Sequence, residues 1–163
     1  MVLGPTSVTV KTYVLCTGVL YTKFFLTTMI QGGKTFESGG RPPEDAKLSL
    51  AKGHPKQNYG LAGDVNDVRI LHAKEVEHRW RRIIANDLES MPFALFVFGS
   101  GILVEADERV QVGAMVVYTL ARVGHTVAYA KQKQPHRGLL WMLGCSCIFV
   151  GIGNAVYKAL TIK

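Results

Sequence analysis

The strongest constraint on this chain is a junction. Arg79-Trp80-Arg81-Arg82, and the mixed segment that carries Asp87 and Glu89, run through Pro92 straight into the apolar stretch 93–104. A helix built on this sequence has a charged first half and an apolar second half, so it projects from a membrane before it enters it. On that helix Arg79, Arg82, Asn86 and Glu89 follow at steps of three, four and three. They therefore line one face, turn above turn, over about 15 Å. Two readings fit such a face. It is a basic collar at the membrane surface, with Glu89 paired to Arg81 or Arg82, or it is a surface that grips a small zwitterionic peptide.

The rest of the chain supplies three further apolar stretches. Together with 74–104, the segments 8–30, 110–130 and 138–160 predict an all-α fold, an integral membrane four-helix bundle in one domain covering residues 1–163. Lys11 and Lys23 interrupt the first span. Lys11 snorkels from the end, whereas Lys23 needs a polar partner. This span reads as a retained helix and not a cleaved signal: it lacks a basic leader, is rich in threonine and has no small-residue cleavage site. Pro92 inside the second span predicts a kink. In the third span Arg122, His125 and Tyr129 share a face. Buried charge in a span faces a bundle interior or a cavity, which leaves an interhelical network and a binding site equally open. The fourth span carries Gly144, Ser146, Gly151 and Gly153, small residues suited to close helix packing, with Trp141 and Tyr157 near its ends.

The segment 31–73 is rich in glycine and proline and reads as a long loop with a short helix near 44–52. No chemistry is evident in it, so variable surface is the expectation. The formal net charge of +7 does not point to nucleic acid, because the basic residues sit beside apolar segments and no nucleic-acid motif is present. Ten lysines and arginines between Lys34 and Arg82, with Lys131, Lys133 and Arg137, face a mostly acidic turn around Glu105, Asp107 and Glu108. The positive-inside rule then puts both basic loops in the cytosol of a multi-pass protein. Cys16, Cys145 and Cys147 lie in apolar runs and read as buried free thiols. No heme, metal or nucleotide motif is evident, and Gly99-Ser100-Gly101 lacks the strand and lysine of a phosphate loop.

The same residues carry a resemblance. Asn86-Asp87-Leu88-Glu89 followed by Pro92-Phe93, the block Arg122-Val123-Gly124-His125-Thr126-Val127-Ala128-Tyr129 with Gln134-Pro135-His136-Arg137, and Lys34-Thr35-Phe36 with Pro43-Glu44-Asp45 resemble the signature of the MAPEG family, membrane-associated proteins of eicosanoid and glutathione metabolism. The blocks come in the family's order, and the chain is most similar to the microsomal glutathione transferases. The resemblance implies a homotrimer in the endoplasmic reticulum membrane, with glutathione held between subunits. It implies that Arg82, Asn86, Glu89, His125 and Tyr129 hold glutathione and that Arg137 stabilises its thiolate. Lys34 stands for a basic residue at the end of the first helix, and Asp45 matches the aspartate of the third block. Arg79 joins the set from its place on the α-helical face. The implied partners are a hydrophobic electrophile or lipid substrate and membrane lipid. The implied activity is glutathione transfer, with lipid hydroperoxide reduction by the same thiolate. Gly138 and Ala85 depart from the prostaglandin E synthase pattern, which weighs against the alternative of a glutathione-dependent isomerase. A non-enzymatic lipid-binding scaffold is the other alternative. A trimer would also offer Lys23 and Arg122 partners across subunits.

Overall fold

In a computed structural model, the described residues 7–61 and 67–161 form four α-helices and two short 3-10 turns, with no strand among them. Helix α1 is Val8–Glu37, α2 is Val68–Leu103, α3 is Glu108–Ala130 and α4 is His136–Thr161. The fold is an all-α four-helix bundle. α1 and α4 are the two described helices both long enough and apolar enough to cross a bilayer. α2 has its charged first half, and α3 carries Arg122 and His125.

Several boundaries differ from the sequence expectation. α1 runs on through Gly32-Gly33 to Glu37. The glycines disfavour helix by roughly 1 kcal/mol each, too little to stop a 30-residue helix. α2 starts at Val68, ahead of the expected 74, where the Asp67 carboxylate accepts the Arg69 backbone N–H at 2.8 Å. It stays one helix through Pro92. In place of the helix near 44–52 stand two 3-10 turns, Pro43–Lys47 and Ser49–Ala51.

The chain divides into two compact units. The first joins the segment up to Lys23 to everything from Asn86 onward, and so contains parts of all four helices. α3 forms its spine. Asp107 caps α3 by accepting the Val110 N–H at 3.0 Å, and Glu108 in the first turn complements the helix dipole. Ala114, Met115, Tyr118, Ala121, Arg122, His125 and Ala128 form its buried stripe. Val116, Val117, Leu120 and Val127 point outward, as do Leu139, Met142, Phe149 and Val150 of α4. Ion pairs inside and bare aliphatic side chains outside is an arrangement that lipid favours and water does not.

The centre of this unit is a carboxylate shared by two cations. Asp87 is fully buried, with Lys23 Nζ 2.6 Å from both its oxygens and the Arg122 guanidinium 2.6 Å from Oδ1. Lys23 also donates to the Thr126 hydroxyl at 2.9 Å. The partners that Lys23 and Arg122 require thus come from within the chain, and no neighbouring subunit is needed to supply them. Around this cluster Tyr118 hydrogen-bonds Ser90 at 2.9 Å and meets Phe98 edge-on, while the Gln111 amide donates to the Phe98 carbonyl at 2.7 Å. Of the small residues of α4, two do the close packing. A Cβ at Gly151 would lie 2.9 Å from the Phe98 ring, and Gly144 rests on Arg122 and Tyr118. Ser146 and Gly153 are exposed. The three thiols are free; Cys147 is buried, while Cys16 and Cys145 are half-buried.

The second unit runs from Phe24 to Ala85. Its loop is folded around side chains and is not merely variable surface. Gln57, buried to 1% exposure, donates to the Phe36 and Pro55 carbonyls at 3.0 and 2.8 Å and accepts the Arg41 N–H at 3.2 Å. Ser38 donates to the buried Glu77 carboxylate, whose other oxygen pairs with Arg81. Arg41 lies over the Phe36 ring and pairs with Asp45 at 2.8 Å.

Removing the shared carboxylate leaves two buried cations facing each other. Asp87→Ala is expected to cost about 3–5 kcal/mol, read as a lower unfolding temperature of the detergent-purified protein. The triple replacement Lys23→Met, Asp87→Leu, Arg122→Met should recover most of that loss, because no unpaired charge then stays buried.

Candidate functional site

At one end of the first unit, the last turns of α3 and the first turn of α4 bring three of the singled-out residues together. The Arg137 guanidinium carbon lies 4.4 Å from the centre of the Tyr129 ring. Tyr129 in turn meets His125 edge-on, with ring centroids 5.7 Å apart and planes at 80°. The steps of three and four on α3 place His125 above Tyr129 on one face, and the short connection after Ala130 turns the chain back so that Arg137 covers the ring. Its geometry is fixed by backbone bonds from Lys133 N–H to the Ala128 carbonyl at 2.8 Å and from Arg137 N–H to the Lys133 carbonyl at 3.1 Å. A cation over an aromatic face contributes about 0.5–2 kcal/mol, enough to hold the long arginine side chain in place, and a guanidinium is a planar fork of donors whose geometry suits an anion.

His125 is 2% exposed, and its Nδ1 has no hydrogen-bond partner among the described residues. Such an atom is destabilising unless something completes it. Asn86 and Glu89 belong to the same unit, in the part of α2 that begins at the buried cluster. Asn86 is half-buried. Glu89 is exposed and has no ion pair among the described residues. The internal pairing considered for Glu89 is therefore not formed: Arg81 instead takes Glu77, one turn earlier.

The other three candidates lie in the second unit. Arg79 pairs with Glu75 at 3.3 Å, Lys34 with Glu37 at 2.7 Å, and Arg82 is exposed. Both pairs are i,i+4 or i,i+3 contacts along a helix. Helical pairs at this spacing contribute only a few tenths of a kcal/mol. What sequence reasoning missed is Asp87. The signal was present, because two cations in apolar runs, Lys23 and Arg122, demand a carboxylate, and Asp87 stands at the edge of such a run.

The model of the MAPEG family matches residues 12–157, which include every candidate site residue. The chain belongs to the MAPEG family. Individual curated proteins gave no match. The MAPEG family comprises membrane proteins that include glutathione transferases and related isomerases and that use glutathione as substrate or cofactor. The chain is thus a membrane protein of the MAPEG kind, consistent with the two apolar helices α1 and α4.

The groups at this end of the unit are a carboxylate at Glu89, which suits a cation, a guanidinium at Arg137, which suits an anion, and the unpartnered His125 Nδ1. The orphaned nitrogen also makes a prediction about stability alone. His125→Phe keeps the ring-on-ring contact with Tyr129 and removes the unsatisfied atom. In the absence of glutathione this variant should be more stable than the native chain by about 1 kcal/mol, measured as a higher unfolding temperature in detergent.

Proposed function

We propose that this MAPEG protein is a membrane glutathione transferase, with Arg137 as the residue that activates the thiol. The observation that carries the reading is the stack of Arg137 on Tyr129 beside the incompletely bonded His125. Family membership supports it.

Glutathione, when bound, supplies a sulfur that reacts as its thiolate with a hydrophobic electrophile. Arg137 favours ionisation of a thiol by placing a permanent positive charge against the developing anion. It lies in the first turn of α4, where the helix dipole acts in the same direction. Tyr129 holds the guanidinium in position through its ring and offers its hydroxyl as a second donor. His125 and Asn86 hydrogen-bond the peptide, and Glu89 takes its ammonium. The family resemblance adds Lys34 and Arg82 to the glutathione set, and Arg79 joins them from its place on the α2 face, as guanidinium and ammonium groups suited to carboxylates. The bilayer delivers the electrophile, a hydrophobic compound or a lipid, and reduction of lipid hydroperoxides by the same thiolate is a second outcome of the same chemistry. Four spans in a single domain, basic loops in the cytosol, a homotrimer and residence in the endoplasmic reticulum complete the reading. Gly138 and Ala85, where prostaglandin synthases carry other residues, favour transfer over isomerisation.

Ultraviolet difference absorption on adding glutathione to the detergent-purified protein tests this directly. A thiolate band is expected. In Arg137→Ala the band should disappear while glutathione affinity falls by less than tenfold. If binding and band are lost together, Arg137 is a binding residue and not the activator. No band in the native protein removes the transferase reading. Glu89→Gln should weaken glutathione binding by about tenfold, the worth of one charge-assisted hydrogen bond of about 1.5 kcal/mol, as followed by calorimetric titration. Unchanged affinity would assign Glu89 to another task.

A further inference from the structure

The second unit contains a polar cavity of about 220 Å³ that plays no part in the reaction proposed above. Its walls are the folded loop, at Gly40, Tyr59 and Gly60, and one face of α2. Lys74, His78 and Arg81 stand on that face at steps of four and three, so their side chains converge on the same space.

The construction is specific. At Gly40 a Cβ would come within 3.0 Å of the Ser38 hydroxyl oxygen and the Thr35 methyl carbon, and within 3.1 Å of Glu77 Oε1, so a larger residue would make these side chains give way. Tyr59 adopts a left-handed backbone with φ 61°, a conformation that non-glycine residues hold only where their surroundings impose it. The backbone N–H groups of Gly40, Tyr59 and Gly60 are used on the carbonyls of Thr35, Arg41 and Gly39. Donors toward the cavity are therefore side chains, and two of them, Lys74 and Arg81, are cationic.

The charges do not cancel. Glu77, the one acidic lining residue, is engaged by Ser38 and Arg81. Lys74 has a single hydrogen bond, to the neutral Gly60 carbonyl at 3.0 Å, and no ion pair among the described residues. An ammonium has three donors, so two remain. His78 is exposed at the mouth. From Lys74, whose charge no carboxylate among the described residues answers, standing with His78 and Arg81 on one face of the cavity, we infer that the cavity binds a phosphate group. Lysine as a point charge and arginine as a fork are the side chains that recognise phosphate. The volume is below that of pockets for drug-sized ligands, which fits a headgroup or a small phosphate compound. Two sources share this chemistry, an anionic phospholipid at a basic membrane-flanking loop and a soluble phosphate.

Two variants test it without disturbing the fold. Lys74→Gln keeps a donor for the Gly60 carbonyl and removes the charge; His78→Glu puts a negative charge at an exposed position. Calorimetric titration of the detergent-purified protein with inorganic phosphate, and native mass spectrometry of protein from nanodiscs of phosphatidylcholine with one-tenth phosphatidic acid, are the two arms. Saturable phosphate binding that weakens at least tenfold in both variants assigns the site to soluble phosphate. Enrichment of bound phosphatidic acid that both variants abolish, without binding of free phosphate, assigns it to the lipid headgroup. Absence of both signals, or signals equal in native and variant proteins, overturns the inference.

Discussion

The helical core hangs on one carboxylate with two cationic partners. Lys23, Asp87 and Arg122 come from three helices, and each is costly in an apolar interior without the others. Their shared contacts fix the rotation of α1, α2 and α3 about their axes in the first unit, because a turn of any one would strand a buried charge. An apolar core tolerates sliding and repacking far better than this. The cluster leaves a surplus of positive charge inside the bundle, and the stripe of α3 that carries Arg122 carries His125 and Tyr129 in the next turns. The interaction that locks the helices thus also sets the register of the candidate site.

That candidate site is rigidly held. His125 is buried on α3 with Tyr129 edge-on to it in the last turn, and the Arg137 side chain is held by the ring beneath it. In the second unit Arg79 and Lys34 are instead held by ion pairs along their own helices. Stabilising a developing anion demands donors that need not reorganise.

The second unit shows how a glycine- and proline-rich stretch gains order without regular structure. Gln57 gives one side chain to three backbone groups, and Glu77 anchors both Ser38 and Arg81. Satisfying buried backbone groups with side chains is the standard solution where no helix or strand does so. It also leaves Lys74 and His78 turned toward a shaped space, which a solvated loop would not have provided.

Much of this was legible in the sequence, and the boundary between what was and what was not is physical. Helix positions, the apolar faces and the grouping of His125 with Tyr129 follow from periodicity, which acts over three or four residues. The family blocks, confirmed by a match across residues 12–157, rest on the same local patterns. Even the need of Lys23 and Arg122 for a partner could be read from their apolar surroundings. Which residue answers that need could not, because Asp87 is 64 residues from one and 35 from the other, and only packing of the helices chooses it over Glu89. The same holds for Gln57 and Glu77, polar residues in an irregular segment with no period to expose them. Sequence determined which side chains had to be buried or wetted; tertiary structure decided the pairs, since a pairing between distant residues costs chain entropy that only the whole set of contacts, made together, can offset.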